Sequence, residues 1–146
     1  MIRCEIGLEV ARARSDVFAF VDDTKKAPLW LSRGVGIEQT SPPPKRAGTT
    51  LRYAYKEGGR AGTMEGAVTA YEKDRQLTMR YTDRMFDLEV GFRFETSAVG
   101  TRVDHAIELT PKPFMARLMA PVIRGASRKQ IAHDTAALKR LLESGA

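Results

Sequence analysis

The chain has 146 residues, 42% of them hydrophobic, and a formal net charge of +6 from 24 basic and 18 acidic side chains. That length predicts one domain, residues 1–146, able to withdraw about two thirds of its unfolded surface from water, and the composition excludes disordered and fibrous classes. A lone Cys4 excludes an internal disulfide, no apolar run approaches the ~20 residues of a membrane span, and the N-terminus alternates instead of offering an apolar leader, so a cytoplasmic setting is expected.

Ile2, Cys4, Ile6, Leu8 and Val10 alternate with polar residues, a period of two that predicts a half-buried strand. Ser15 offers a helix N-cap, with Asp16 in the first turn and Val17, Phe18, Phe20 and Val21 as the apolar side. A second short helix is predicted from Thr24 to about Trp30, limited by Pro28. Strands then return. Val35, Ile37 and Gln39 begin one that ends at Ser41-Pro42-Pro43-Pro44, because proline supplies no ladder donor.

The segment 49–57 alternates with Leu51, Tyr53 and Tyr55 on one face, and Gly58-Gly59 signals a hairpin. A long strand over 60–72 turns at Lys73-Asp74-Arg75, with Glu65 opposite to Met64 unless Gly62 and Gly66 mark a bulge. Leu77, Met79 and Tyr81 define the next inward face, and Leu88, Val90, Phe92 and Phe94 the one after it. A turn at Ala98-Val99-Gly100 leads to Val103, His105, Ile107 and Leu109. Connections this short predict antiparallel neighbours.

One helical pattern then reaches Glu143. Met115, Met119, Val122 and Ala126 share one stripe, while Ile131, Leu138 and Leu142 share another, rotated by about 140° at roughly 100° per residue. One straight helix cannot turn both stripes to one surface. Pro121 and Gly125 therefore predict a break between them, with a methionine-rich lid before it and a gripped helix after it.

This region also carries charge. From Lys112 to Glu143 seven basic residues face two acidic ones, which can attract an acidic protein or an anionic surface, or can serve as an ordinary solvated helix face. No aromatic residues are interleaved as a base-stacking surface requires, so nucleic acid is not expected as a partner. Metal-ligand spacing, a phosphate loop and a catalytic triad are all absent from the sequence, and neither metal nor cofactor is expected.

The order of strand, two small helices, six antiparallel strands and long C-terminal helix resembles the helix-grip fold of the START-like or SRPBCC superfamily. The segments that carry the likeness are 14–21, Trp30, Gly48, Leu88-Glu89-Val90-Gly91-Phe92-Arg93-Phe94, Gly100-Thr101-Arg102-Val103 and 118–143. They are most similar to the branch of polyketide cyclase/dehydrase and lipid transport proteins. The resemblance implies an α+β fold, about seven curved antiparallel strands around the C-terminal helix, and a hydrophobic cavity between them. It further implies binding of a lipid-like or polyketide-like molecule, or cyclisation or dehydration of a poly-keto chain in the same space. Related oxygenase subunits add iron, but His105 and His133 are this chain's only histidines and lack the two-histidine-plus-carboxylate spacing.

Strand alternation selects the candidate lining: Tyr53, Tyr55, Met64, Val68, Met79, Tyr81, Val90, Phe92, His105 and Ile107, closed by Phe114, Met115, Leu118 and Met119, with Trp30 near the entrance. The same set also reads as plain core. His105, flanked by Val103 and Ile107 on its face, is the candidate acid–base group with Tyr81. It reads equally as a histidine satisfied by Tyr81 or Tyr53. Asp104 points to the opposite face and cannot orient it. Arg52, Arg80 and Arg93 alternate outward, so no cation is expected beside a poly-keto ligand, which favours binding over catalysis.

Overall fold

In the computed structural model, which describes residues 2–32, 34–57 and 59–145, seven strands form one antiparallel sheet. They are β1 (Ile2–Val10), β2 (Gly34–Gln39), β3 (Thr50–Glu57), β4 (Arg60–Glu72), β5 (Gln76–Thr82), β6 (Phe86–Thr96) and β7 (Thr101–Pro111), in the order β1-β7-β6-β5-β4-β3-β2. Helix α1 (Arg14–Asp22), a 3-10 turn (Thr24–Lys26) and α2 (Ala27–Trp30) follow the first strand. After the sheet come α3 (Phe114–Leu118) and α4 (Ala120–Glu143). This is the helix-grip arrangement: an open sheet with a long C-terminal helix against its inner face.

Register follows the apolar alternation. Ile2, Cys4, Ile6 and Leu8 stand opposite Leu109, Ile107, His105 and Val103, so the first and last strands turn one apolar row inward together. Phe94, Phe92, Val90 and Leu88 pair with Val103, His105, Ile107 and Leu109 in the same way. Slipping any pair by one residue would turn that row to water. Helix α4 lies mainly along β1, where its C-terminal carbonyl at Leu142 accepts from Arg12 (2.7 Å) and the Glu143 carboxylate accepts from the Ala11 amide (3.0 Å).

The core is densest at the end of the sheet where β1 leaves and β7 enters. Val10, Val17, Leu51, Val68, Leu77, Val103, Leu138 and Leu142 are essentially inaccessible there, and Phe18 meets Phe94 edge to face at 5.3 Å. Each such side chain stabilises the fold by about 1.5–3 kcal/mol.

Two local expectations are corrected, the N-cap of α1 and the helical break, and two strand details are added. The N-cap of α1 is Ala13 with no side-chain cap, not Ser15, which already lies inside the helix. Val35 is exposed because a bulge between Gly34 and Gly36 shifts the start of β2. The irregularity in β4 falls between Val68 and Ala70, not at Gly62 or Gly66, so Glu65 stays outside and binds Arg52 at 2.9 Å. The helical break falls at Met119, not between Pro121 and Gly125: α4 runs unbroken from Ala120, because a proline in its first turn lacks only a donor that has no intrahelical acceptor. The conflict between the two apolar stripes is resolved by exposing the first. Of the predicted hairpin pair, Gly59 takes a positive φ of 82° and Gly58 lies outside the described residues.

Candidate functional site

Inner-face residues change character along the sheet. Toward the packed end they are closed off; toward the other, where β3, β5 and β7 finish, Tyr53, Tyr55, Leu88, Val90, Ile107 and Leu109 are only half-buried. Tyrosines gather here because glycines face them across the strands. Tyr55 is paired with Gly62 and Tyr81 with Gly66, and a Cβ on Gly66 would sit 2.3 Å from the Tyr81 ring. Tyr53 lies between the other two rings, 6.2 Å from Tyr55 and 5.4 Å from Tyr81.

Between the packed and half-open ends sits a buried aromatic group. The His105 ring stacks on Phe92 with centroids 4.3 Å apart, and Trp30 of α2 approaches both edge-on, 6.2 Å from His105 and 5.9 Å from Phe92. His105 Nδ1 lies 3.2 Å from the hydroxyl of Thr135 on α4, and that hydroxyl donates its own proton to the Ile131 carbonyl. The hydroxyl can therefore only accept from His105, which assigns the Nδ1–H tautomer and leaves Nε2 with a lone pair. Burial lowers the imidazole pKa to about 3, so the ring is neutral at ordinary pH.

Tyr81 donates to the Met79 sulfur at 3.4 Å, and burial, followed by the nearby Tyr53, pushes its pKa up, so it remains a hydroxyl. Tyr55 donates to Asp83 at 3.1 Å. Trp30 Nε1–H is different: it is the one buried side-chain polar atom among the described residues without a hydrogen-bond partner. A buried donor left unpaired costs about 1–3 kcal/mol unless something accepts from it.

The predicted lining is thus brought together in part. Tyr53, Tyr55, Met64, Val68, Met79, Tyr81, Val90, Phe92, His105 and Ile107 share the inner face, with Val68 in the packed end, and Trp30 joins them from α2. Phe114, Leu118 and Met119 do not close over them: they are 71%, 61% and 50% exposed and stand on the rim. The side chain of Met115 lies outside the described residues. Arg52, Arg80 and Arg93 point outward as expected. His105 is held by Thr135, not by Tyr81 or Tyr53. Thr135 was missed although its spacing from Ile131, Leu138 and Leu142 puts it on the buried stripe of α4. Asp134, also buried there, accepts from the Ser32 amide at 3.1 Å and ties α2 to α4.

Two clefts lie elsewhere. One of about 190 Å³ is on the outer face of the sheet, around Thr78, Glu89, Gly91, Arg93, Asp104 and Ala106; the other, about 330 Å³, is beside Pro42, Pro43 and Pro44. Neither opens between sheet and helix. Among the described residues no group of three His, Cys, Asp or Glu side chains is placed to hold a metal ion, and no helix is long and apolar enough to cross a membrane.

A seven-stranded antiparallel sheet around one long helix, with an aromatic inner face, defines a protein of helix-grip fold. Residues 1–143 match the family model described as polyketide cyclase / dehydrase and lipid transport, and the chain belongs to that family. Solved structures agree on the fold. A START superfamily protein from Mycobacterium smegmatis superposes with a TM-score of 0.80 at 17% identity, over 97% of each chain. A protein of Thermus thermophilus gives 0.78 at 15% identity, over 99% of each. The di-domain ARO/CYC StfQ of the steffimycin biosynthetic pathway gives 0.77 at 12% identity, over 95% of this chain and 49% of that one. The search of curated proteins gives no match.

Proposed function

We propose that this protein binds a hydrophobic or amphipathic small molecule, lipid-like or polyketide-like, between the inner face of the sheet and α4, in a setting where Cys4 stays reduced. One observation carries the reading: Tyr53, Tyr55, Leu88 and Val90 at the half-open end of the inner face are only half-buried, while Ile107 and Leu109 pack with Ala120, Ile123 and Ile131 of α4. Each 100 Å² of apolar ligand surface hidden there would contribute about 2.5 kcal/mol before ordering costs. Trp30 Nε1–H and the lone pair on His105 Nε2 are a donor and an acceptor beside these side chains, suited to a ligand hydroxyl, which can accept from the first and donate to the second. The family's description, which names lipid transport, supports the same reading.

Trp30 is the chain's only tryptophan and so reports directly on the site. Titration with 1-anilinonaphthalene-8-sulfonate should give saturable energy transfer from Trp30, lost in Val90→Arg. Native mass spectrometry of freshly expressed protein should show a retained lipid-like mass. A clean mass together with no saturable transfer would overturn the proposal.

A second reading, cyclisation or dehydration of a poly-keto substrate in the same place, draws on the free Nε2 of His105 and the hydroxyl of Tyr81. A base with a pKa near 3 is weak at neutral pH, and Arg52, Arg80 and Arg93 point outward, away from where a poly-keto chain would lie, so binding is preferred. Turnover of a poly-β-keto thioester that vanishes in His105→Ala and persists in Met79→Ala would reverse that preference.

A further inference from the structure

The half-open end of the sheet is ringed by an unusual surface. Phe114 and Leu118 of α3, Met119 at the break, Val122 of α4 and Met85 of the β5–β6 turn are 71%, 61%, 50%, 62% and 46% exposed. These three segments are held side by side. Phe86 is paired with Pro111 across β6 and β7, and the Lys112 amide donates to the Met85 carbonyl at 2.9 Å. The Lys112 ammonium binds Asp87 at 3.2 Å and the Asp83 carbonyl at 2.7 Å. The turn that carries Met85 is thereby held against the segment leading into α3, which itself packs on β7 and α4, so the five exposed apolar side chains lie on neighbouring segments.

Along α3 and the first half of α4 the charge has one sign. From residue 112 to residue 133 there is no aspartate or glutamate, while Lys112, Arg117, Arg124, Arg128 and Lys129 are all present. Arg117 donates to the Pro111 carbonyl, and Arg124, Arg128 and Lys129 are exposed and take part in none of the ion pairs that the described residues form. Lys129 lies seven residues beyond Val122, within about 20° of it around the helix, while Arg124 and Arg128 lie about 160° and 120° away from Val122, on the other side of α4. Arg84, also exposed, adds a cation next to Met85.

From this rim we infer that the protein docks on an anionic lipid bilayer, with Met85, Phe114, Leu118, Met119 and Val122 entering the headgroup layer and Arg84, Arg117 and Lys129 meeting the phosphates. Exposed apolar side chains on neighbouring segments, flanked by Arg84, Arg117 and Lys129, with the nearby Asp83 and Asp87 carboxylates already bound by Tyr55 and Lys112, fit an interface that is greasy within and negative outside. A folded acidic protein would need a matching apolar patch, and nucleic acid would gain nothing from aliphatic side chains. Docking would turn the half-open end of the inner face toward the membrane. The inference stands whether or not that face holds a ligand.

Co-sedimentation of the full chain with vesicles tests it. Pelleting is expected with equimolar phosphatidylglycerol and phosphatidylcholine and not with phosphatidylcholine alone, and is expected to fall when ionic strength is raised. Leu118→Asp and Val122→Asp, both at exposed positions, should each abolish it with an unchanged circular dichroism spectrum. Lys129→Gln and Arg84→Gln should each weaken partitioning roughly fivefold, whereas Arg80→Gln on the outer face of the sheet should leave it unchanged. No pelleting with the anionic vesicles, or pelleting that Arg80→Gln weakens as much as Lys129→Gln, would overturn the inference. So would equal binding to polyglutamate or duplex DNA that ignores Leu118→Asp, since the rim would then be a general polyanion site.

Discussion

At the scale of single residues, His105 sets a pH dependence whose sign is fixed. Its folded pKa of about 3 lies below the ordinary 6.5, so between those values the unfolded chain binds a proton that the folded chain refuses. Stability from this group is complete above pH 6.5 and declines as pH falls toward 3, by about 2 kcal/mol at pH 5. Urea titrations at pH 7.5 and pH 5 should show that loss in the native chain and a smaller one in His105→Phe, whose ring keeps the stack on Phe92. An equal loss in both would mean that His105 is not the buried neutral group described. Thr135→Val tests the other half of the pair. It strands the Nδ1–H without an acceptor and is expected to cost about 1–3 kcal/mol at pH 7.5 in the same measurement.

At the scale of elements, two glycines make opposite predictions. A Cβ on Gly125 meets no heavy atom within 4 Å, and α4 is continuous through it, so Gly125→Ala should stabilise by about 0.5–1 kcal/mol, read as a higher melting temperature. Gly66 faces the Tyr81 ring at 2.3 Å and the Arg80 carbonyl at 2.6 Å, and Gly66→Ala should destabilise by about 1–3 kcal/mol because backbone is part of the obstacle. Gly125 shows what sequence alone misjudges. Its low helix propensity, with Pro121 nearby, pointed to a hinge, but propensity is a weak prior, and the packing of Ser127, Ile131 and Leu138 carries α4 past it. Strand faces were legible because a period of two has only two phases; all of β1 and β5 to β7 follow it. Bulges were not, since the extra residue at Val35 or Thr69 changes phase without changing composition. The His105–Thr135 pair was hidden because it joins a strand to a helix thirty residues away, and no local pattern encodes such a meeting. The exposure of Phe114, Leu118 and Met119 was hidden too: an apolar stripe states what avoids water, not which surface receives it.

Across the whole molecule, the two chain ends are joined through β1. It pairs with β7, lies under α4, and leads into α1 and α2, while Asp134 of α4 holds the Ser32 amide just beyond α2. Helix α4 and the tryptophan-bearing α2 should therefore lose structure together, as one cooperative unit. Leu142, wholly buried at the far end of α4 from the half-open rim, is the place to test this. Leu142→Ala is expected to cost about 2–5 kcal/mol through lost burial and the cavity left behind. In urea, the helix signal in circular dichroism, dominated by α4, and the fluorescence of Trp30 should shift to the same lower midpoint with an unchanged slope. If the helix signal moved alone while Trp30 kept its native midpoint, α4 would be a separately melting flap. The tie through Asp134 would then be too weak to couple the grip helix to the aromatic group it covers.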